Sequence, residues 1–266
     1  MFDCYNRKIN YLRISVTDRC NLRCVYCMPE DGIRMLSHSE ILSFEEIAAI
    51  VRAGVAMGID KVRLTGGEPL VRKGIVNLVE MLSSIDGIRD LSMTTNGILL
   101  GQFAVALKKA GLMRVNVSLD TLDENKYRIL TRGGTLMKAL EGIQAATDAG
   151  LKPVKINCVV KGSSNEPDAL IVSEYCRKNG LEVRFIHQMN LSEGHFSVVE
   201  GGEGGDCAHC NRLRLTASGK IMPCLFSERE YDVRLLGAEE AFRQALKNKP
   251  SCGSMNLKGE FYNIGG

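Results

Sequence analysis

No apolar run in the 266-residue chain approaches the roughly 18 residues that a membrane-spanning helix needs. Nor does Met1 to Asn10 resemble a secretory leader, because charged residues stand where such a leader keeps its apolar centre. The expectation is a soluble, cytoplasmic protein with no membrane partner. Basic runs and aromatic-interleaved basic patches are also missing. The net charge of +3 sums interspersed Lys, Arg, Asp and Glu, so nothing directs the chain to nucleic acid. What is present, 45% apolar residues, suffices for one buried core, as one domain or one domain with a small appendage.

Ten cysteines are many for a compartment that does not maintain disulfides, and they direct attention to metal or redox chemistry. Six fall in two triads: Cys20, Cys24 and Cys27, then Cys207, Cys210 and Cys224. Cys4, Cys158, Cys176 and Cys252 stand apart.

Between residues 11 and 187, short β-rich runs alternate with segments of helical period, as in repeated βα units and a parallel sheet. Strands are predicted at 11–16, 61–65, 90–94, 114–118, 154–160 and 182–186. Helices are predicted at 43–57, 71–83, 103–110, 136–149 and 167–178, with Gly58, Gly111, Gly150 and Gly180 as C-terminal caps. One strand face is apolar: Leu12, Ile14 and Val16; Val62 and Leu64; Val115 and Val117; Ile156 and Cys158. The other carries Arg13, Lys61, Arg63, Asn116, Ser118, Lys155, Asn157 and Arg184. A closed eight-stranded barrel is filled with branched apolar side chains, so a polar inner face implies an incomplete (β/α)6 barrel holding an anionic ligand. The alternative is a row of solvated charges, although a parallel sheet is normally covered on both faces.

Residues 188–206 hold five glycines and little periodicity, which reads as a linker. Strands at 212–216 and 220–224 and a helix at 238–247 then make a small cluster-binding module. The expected division is therefore 1–187, 188–206 and 207–266.

Cys20, Cys24 and Cys27 lie in the loop leaving the first strand, at the rim where barrel enzymes keep their chemistry. Structural zinc needs four ligands, and the next candidate, His38, is distant in sequence. Three thiolates on a cubane iron–sulfur cluster leave one iron open for a substrate or cofactor. The second triad has the same arithmetic, with zinc held by His209 or a distant cysteine as its alternative. Gly66-Gly67-Glu68-Pro69 follows the second strand, and paired glycines allow a backbone to approach a ligand closely.

Cys-x3-Cys-x2-Cys with Tyr26 before the last cysteine, after the first strand of a βα barrel, resembles the radical S-adenosylmethionine superfamily. The resemblance implies a [4Fe–4S] cluster whose open iron chelates S-adenosyl-L-methionine. It further implies cofactor contacts at Tyr26, Gly66, Gly67, Glu68, Thr95, Asn96 and Ser118. The second triad with Asn211-Arg-Leu-Arg-Leu-Thr216, the segment from Arg7 to Cys20 and the terminal Gly265-Gly266 resemble more narrowly the GTP 3′,8-cyclase family of molybdenum-cofactor biosynthesis.

That resemblance implies two [4Fe–4S] clusters, the second binding the guanine of GTP. It puts the triphosphate on Arg13, Lys61, Arg63, Lys155 and Arg184. Arg212, Arg214, Gly265 and Gly266 are then expected to act at the reacting centre. An electron donor such as flavodoxin and a downstream cyclic pyranopterin monophosphate synthase are implied as partners, and a homodimer stays open. His187-Gln-Met-Asn190 and the short 188–206 segment depart from the family's longer pattern, which makes this a compact version. Two rivals remain at this stage: a radical enzyme acting on a peptide, and an iron–sulfur electron carrier without catalysis.

Overall fold

Six parallel strands, ordered side by side, form the body of a computed structural model that describes residues 1–30, 32–257 and 264. They are β1 (Tyr11–Ser15), β2 (Lys61–Thr65), β3 (Asp90–Thr95), β4 (Arg114–Ser118), β5 (Lys155–Val160) and β6 (Glu182–His187). The other edge of β1 takes β7 (Arg212–Leu215) in parallel, and β8 (Lys220–Met222) and β9 (Tyr231–Asp232) follow antiparallel. The sheet is open, with β6 and β9 at its ends, as the incomplete six-unit barrel requires.

Crossover helices connect the parallel strands: α1 (Phe44–Ala56), α2 (Ile75–Ser83), α3 (Leu100–Lys109), α4 (Glu124–Thr131), α5 (Leu136–Asp148) and α6 (Pro167–Lys178). A short α7 (Val233–Leu236) and α8 (Ala238–Lys247) lie near the C-terminal end. Local chemistry sets their ends. Ser43 and Glu46 form a reciprocal capping box on α1, the Glu46 amide donating to Ser43 Oγ and the Ser43 amide to Glu46 Oε2. The glycines expected as caps, Gly58, Gly111, Gly150 and Gly180, all adopt positive φ.

The apolar strand face is fully buried beneath the helices, with Leu12, Ile14, Val62, Leu64, Val115, Val117 and Ile156 in one core. Cys158 and Cys176 belong to that core as well. Its C-terminal part comes from β7 and α8. Phe242 on α8 packs so closely on Gly54 of α1 that a Cβ there would stand 3.1 Å from the ring.

Three elements were not expected from sequence. α4 is polar along most of its length, with only Tyr127 and Thr131 buried, and the four-residue α7 and two-residue β9 are too short to show a period. Residues 188–206 do more than connect. Glu200 bridges Phe185 of β6, and Asn190 bridges His195, so this segment folds back over the edge of the sheet.

Candidate active site

Cys20, Cys24 and Cys27 are half-buried and line a cavity of about 200 Å³ together with Tyr26, Gly66, Gly67, Glu68, Thr95, Asn96 and Ser118. Backbone contacts hold their loop in place. The Gly67 amide donates to Thr17 O and the Glu68 amide to Arg19 O, each at 2.8 Å. A Cβ on Gly66 would stand 2.6 Å from Thr17 O, and one on Gly67 would come closer still to Arg19 O. The paired glycines thus let the cysteine loop lie on the end of β2, a requirement of the chain itself. From the other side the loop is held by α4 and the residue after it. The Val25 amide donates to Leu130 O at 2.9 Å, and Arg132 Nη1 to Met28 O at 3.0 Å.

Burial pushes the Cys20 thiol up to about 11 and those of Cys24 and Cys27 up to about 12. Such thiols would ionise at neutral pH only beside strong positive charge, of the kind that bound iron would supply. Glu68 is buried, and its carboxylate accepts from Thr95 Oγ1 at 2.7 Å, the Asn96 amide at 2.7 Å and the Leu70 amide at 3.0 Å. Burial outweighs these bonds and raises its pKa to about 7. The Tyr26 hydroxyl donates to Asp120 Oδ2 at 2.7 Å, while Asp120 Oδ1 accepts from the Val159 amide at 2.8 Å.

Below this rim the register of the sheet lines up the cations. Arg214, Arg13 and Arg63 are successive partners on β7, β1 and β2, and the row continues through Ser92 to Arg114. The cavity over them is about 300 Å³ and is lined by seven cations, Arg13, Lys61, Arg63, Arg114, Lys155, Arg184 and Arg212, against only Asp90 and Glu203. Burial holds Arg13 well below its ordinary pKa, and Arg214 presses it further down. Arg63 is lowered for the same first reason, with Arg114 and Arg184 adding repulsion. Five buried polar atoms of the lining, Tyr11 OH, Asn116 Nδ2, Arg184 Nε, Arg212 Nε and Asn211 Oδ1, have no hydrogen-bond partner among the described residues. Clustered, desolvated cations with orphaned donors make a site for a multiply charged anion.

Cys207, Cys210 and Cys224 line a third cavity of about 150 Å³, with Arg13, Arg212, Arg214, Met189, Phe226 and Lys249. Asn157 and Ile186 line all three cavities, so the two cysteine sites communicate across the cationic floor. Buried Lys249 donates to Arg212 O at 2.8 Å and to Pro223 O at 2.5 Å. Burial alone would raise Cys210, but Lys249 and Arg212 outweigh it and the thiol is lowered. Burial holds Cys224 up and brings Arg214 down to about 10.

The zinc alternative called for His209 or a distant cysteine as the fourth donor. His209 is exposed and its Nδ1 pairs with Asp206 Oδ2 at 2.7 Å. A distant cysteine is present, since Cys252 Sγ lies 3.0 Å from Cys207 Sγ. Three thiolates at each site match a cubane with one iron left open.

Two regions of the chain match families. Residues 14–183 match the radical SAM superfamily, and residues 172–254 match Molybdenum Cofactor Synthesis C. The GTP 3′,8-cyclase of Thermodesulfovibrio yellowstonii is 45% identical over 88% of this chain and 87% of its own length. That of Petrotoga mobilis is 42% identical over 94% of each. The chain belongs to the GTP 3′,8-cyclase family of radical SAM enzymes.

Among solved structures, SuiB of Streptococcus suis bound to S-adenosylmethionine superposes with a TM-score of 0.68 at 17% identity, covering 92% of this chain and 67% of that one. Methylornithine synthase reaches 0.57 at 18% identity, covering 76% of this chain and 61% of that one. Both likenesses show the fold. Alignments to cyclase relatives run over 275 to 319 positions against 266 residues here, so the relatives carry segments that this cyclase-family chain lacks.

All cofactor and cation positions expected from sequence, from Tyr26 to Ser118 and from Arg13 to Arg214, line one of the three cavities. Gly265 and Gly266 lie outside the described residues. Ile264, just before them, is buried against Phe226, and its carbonyl accepts from Arg214 Nη1 at 3.5 Å. Sequence reasoning missed Tyr11, Arg114, Asp120 and Lys249. Tyr11 and Arg114 open the strands predicted at 11–16 and 114–118 and share the alternation parity of Arg13 and Asn116, so carrying the polar face to the first residue of each strand would have found them. Asp120 lies beyond the end of β4 and Lys249 beyond that of α8, where no period marks them.

Proposed function

We infer that this chain removes the 3′ hydrogen of GTP and closes C3′ onto guanine C8, giving 3′,8-cyclo-7,8-dihydro-GTP, the first step of molybdenum-cofactor biosynthesis. The observation that carries the reading is the cationic cavity between two three-cysteine sites. Two [4Fe–4S] clusters and S-adenosyl-L-methionine supply the chemistry, as source of a 5′-deoxyadenosyl radical at the first site and as an anchor for guanine at the second.

In this reading Cys20, Cys24 and Cys27 hold the first cluster, and Cys207, Cys210 and Cys224 the second. Tyr26, Gly66, Gly67, Glu68, Thr95, Asn96 and Ser118 surround S-adenosylmethionine. Glu68 acts there as a tie, since its carboxylate joins the ends of β2 and β3 beneath the cofactor. Arg13, Lys61, Arg63, Lys155 and Arg184, joined by Arg114, take the triphosphate, whose charge relieves their mutual repulsion. Arg212 and Arg214 face the nucleotide beside the second cluster and assist the final reduction, with Gly265 and Gly266 completing the site. Rate enhancement comes mainly from fixing the reacting carbons in one orientation inside a cavity that excludes water.

Residues 1–187 then form the radical-generating part and 207–266 the nucleotide-anchoring part, with 188–206 walling the cavity through Val199, Gly202 and Gly204. Among the described residues no helix is long and apolar enough to cross a membrane. A cytoplasmic site of action, a reductant such as flavodoxin, a downstream cyclic pyranopterin monophosphate synthase and a homodimer belong to the same proposal.

GTP deuterated at C3′ tests it. Deuterium should appear in 5′-deoxyadenosine, with little cleavage coupled to ATP, whose adenine offers an amino group where guanine has O6. Label retained in the nucleotide while S-adenosylmethionine is consumed would exclude GTP as substrate.

A further inference from the structure

Cys252 belongs to neither triad, yet its Sγ lies 3.0 Å from that of Cys207, 45 residues away in sequence. A buried side chain fixes this approach. Arg7 donates from Nη1 to the carbonyls of Cys207 and Ser251, at 2.7 and 2.8 Å, and from Nη2 to that of Pro250 at 2.6 Å. Its Nε is held by Asp3 at 2.6 Å. The backbone on both sides of the sulfur contact is thereby clamped to one guanidinium. Gly253 continues the close passage, since a Cβ there would stand 3.1 Å from Cys224 Sγ. Cys252 itself is exposed and is not among the residues lining the cavity of Cys207, Cys210 and Cys224. It covers Cys207 from the solvent side.

We propose that Cys207 and Cys252 form a reversible disulfide whenever the second triad carries no cluster, with a low-molecular-weight disulfide as oxidant. This rests on Cys207 being a cluster ligand and is independent of which nucleotide the site binds. The exposed Cys252 thiolate attacks one sulfur of the small disulfide, and the other leaves as a thiolate that takes up a proton. Cys207, having lost its proton, then attacks the Cys252 sulfur of the mixed disulfide and releases the second small thiol. The two cysteines lose two electrons and two protons, and the small disulfide becomes two thiols. Cys207 is thereby withheld from further oxidation, and only Cys210 and Cys224 remain for iron, so the second cluster assembles only after a dithiol reduces the pair.

The test treats the full-length, cluster-free chain with oxidised glutathione, alkylates the remaining thiols, and maps the peptides by mass spectrometry. Peptides carrying Cys207 and Cys252 should be found joined and lighter by two hydrogens. In C252S the join should be lost, with one glutathione on Cys207 instead. Cys207 joined to Cys210 or Cys224, or carrying only glutathione in the unsubstituted chain, would overturn the pairing. The cluster-loaded chain should resist the same treatment. A join formed there in equal yield would overturn the ligand role of Cys207 on which the proposal stands. Reduced C252S should still load about eight irons, as two cubanes require. A fall to about four would make Cys252 a cluster ligand and overturn its role as a partner held outside the cluster.

Discussion

Glu68 is a carboxylate whose solvation has been replaced by three protein donors without full compensation, because burial still lifts its pKa to about 7 from 4.5. Between those values the folded state keeps a proton that the unfolded chain releases. Its contribution to stability is thus complete below pH 4.5 and falls as pH rises to 7, by about 3 kcal/mol in all. Glu68→Gln removes this titration. Denaturation of the cluster-free protein should show the native chain losing stability relative to the variant across that window, and a flat difference would contradict the raised pKa. Arg63 differs in kind, since its Nε donates to Ser92 Oγ at 3.2 Å and its charge belongs to the cavity floor. Arg63→Ala should weaken GTP roughly ten- to a hundredfold, for one charge-assisted contact worth about 1.5–3 kcal/mol, and should leave guanosine nearly unchanged. Equal loss for both ligands would make Arg63 structural.

At the scale of elements, the strands were legible because β1, β2 and β4 alternate polar and apolar residues with a period of two, a pattern that β3, β5 and β6 keep until Thr95, Val159 and Ile186. β2 and β4 begin and end where the pattern does. The cysteine triads stood out by spacing, since Cys20, Cys24 and Cys27 lie four and three residues apart and Cys207 and Cys210 three. α4 was not legible, because its eight residues are mostly polar and only Tyr127 and Thr131 are buried, too few apolar positions to mark a helix, and with it went the knowledge of what grips the cysteine loop. The roles of Gly66 and Gly67 were only half legible: the sequence suggested a close approach of the backbone to a ligand, and the structure shows that the backbone of Thr17 to Arg19 lies where a Cβ would stand. Gly67→Ala must push that backbone away and displace Cys20 with it. Reconstituted variant should hold about four irons where the native chain holds about eight, keeping the second cluster. Full loading would mean that the loop tolerates the shift.

For the molecule as a whole, the decisive contact is β7 against β1. The expected division placed a separate module after residue 206, yet β1 lies between β2 and β7, and Leu213 and Leu215 enter the same core as Leu12 and Ile14. α8 adds to this by seating Phe242 on Gly54 of α1. A chain ending at residue 206 would leave the β1 edge unpaired and its helix layer uncovered at α1, a state prone to edge pairing and aggregation. Neither portion buries its own apolar face without the other, so the cluster-free protein should unfold in one cooperative transition. Near-ultraviolet circular dichroism and an α8 label placed at exposed Arg243 should give the same denaturant midpoint. If the label reports an earlier transition while the parallel sheet persists, the C-terminal portion is an independent unit, and loss of the second cluster would then be a local event that spares the first.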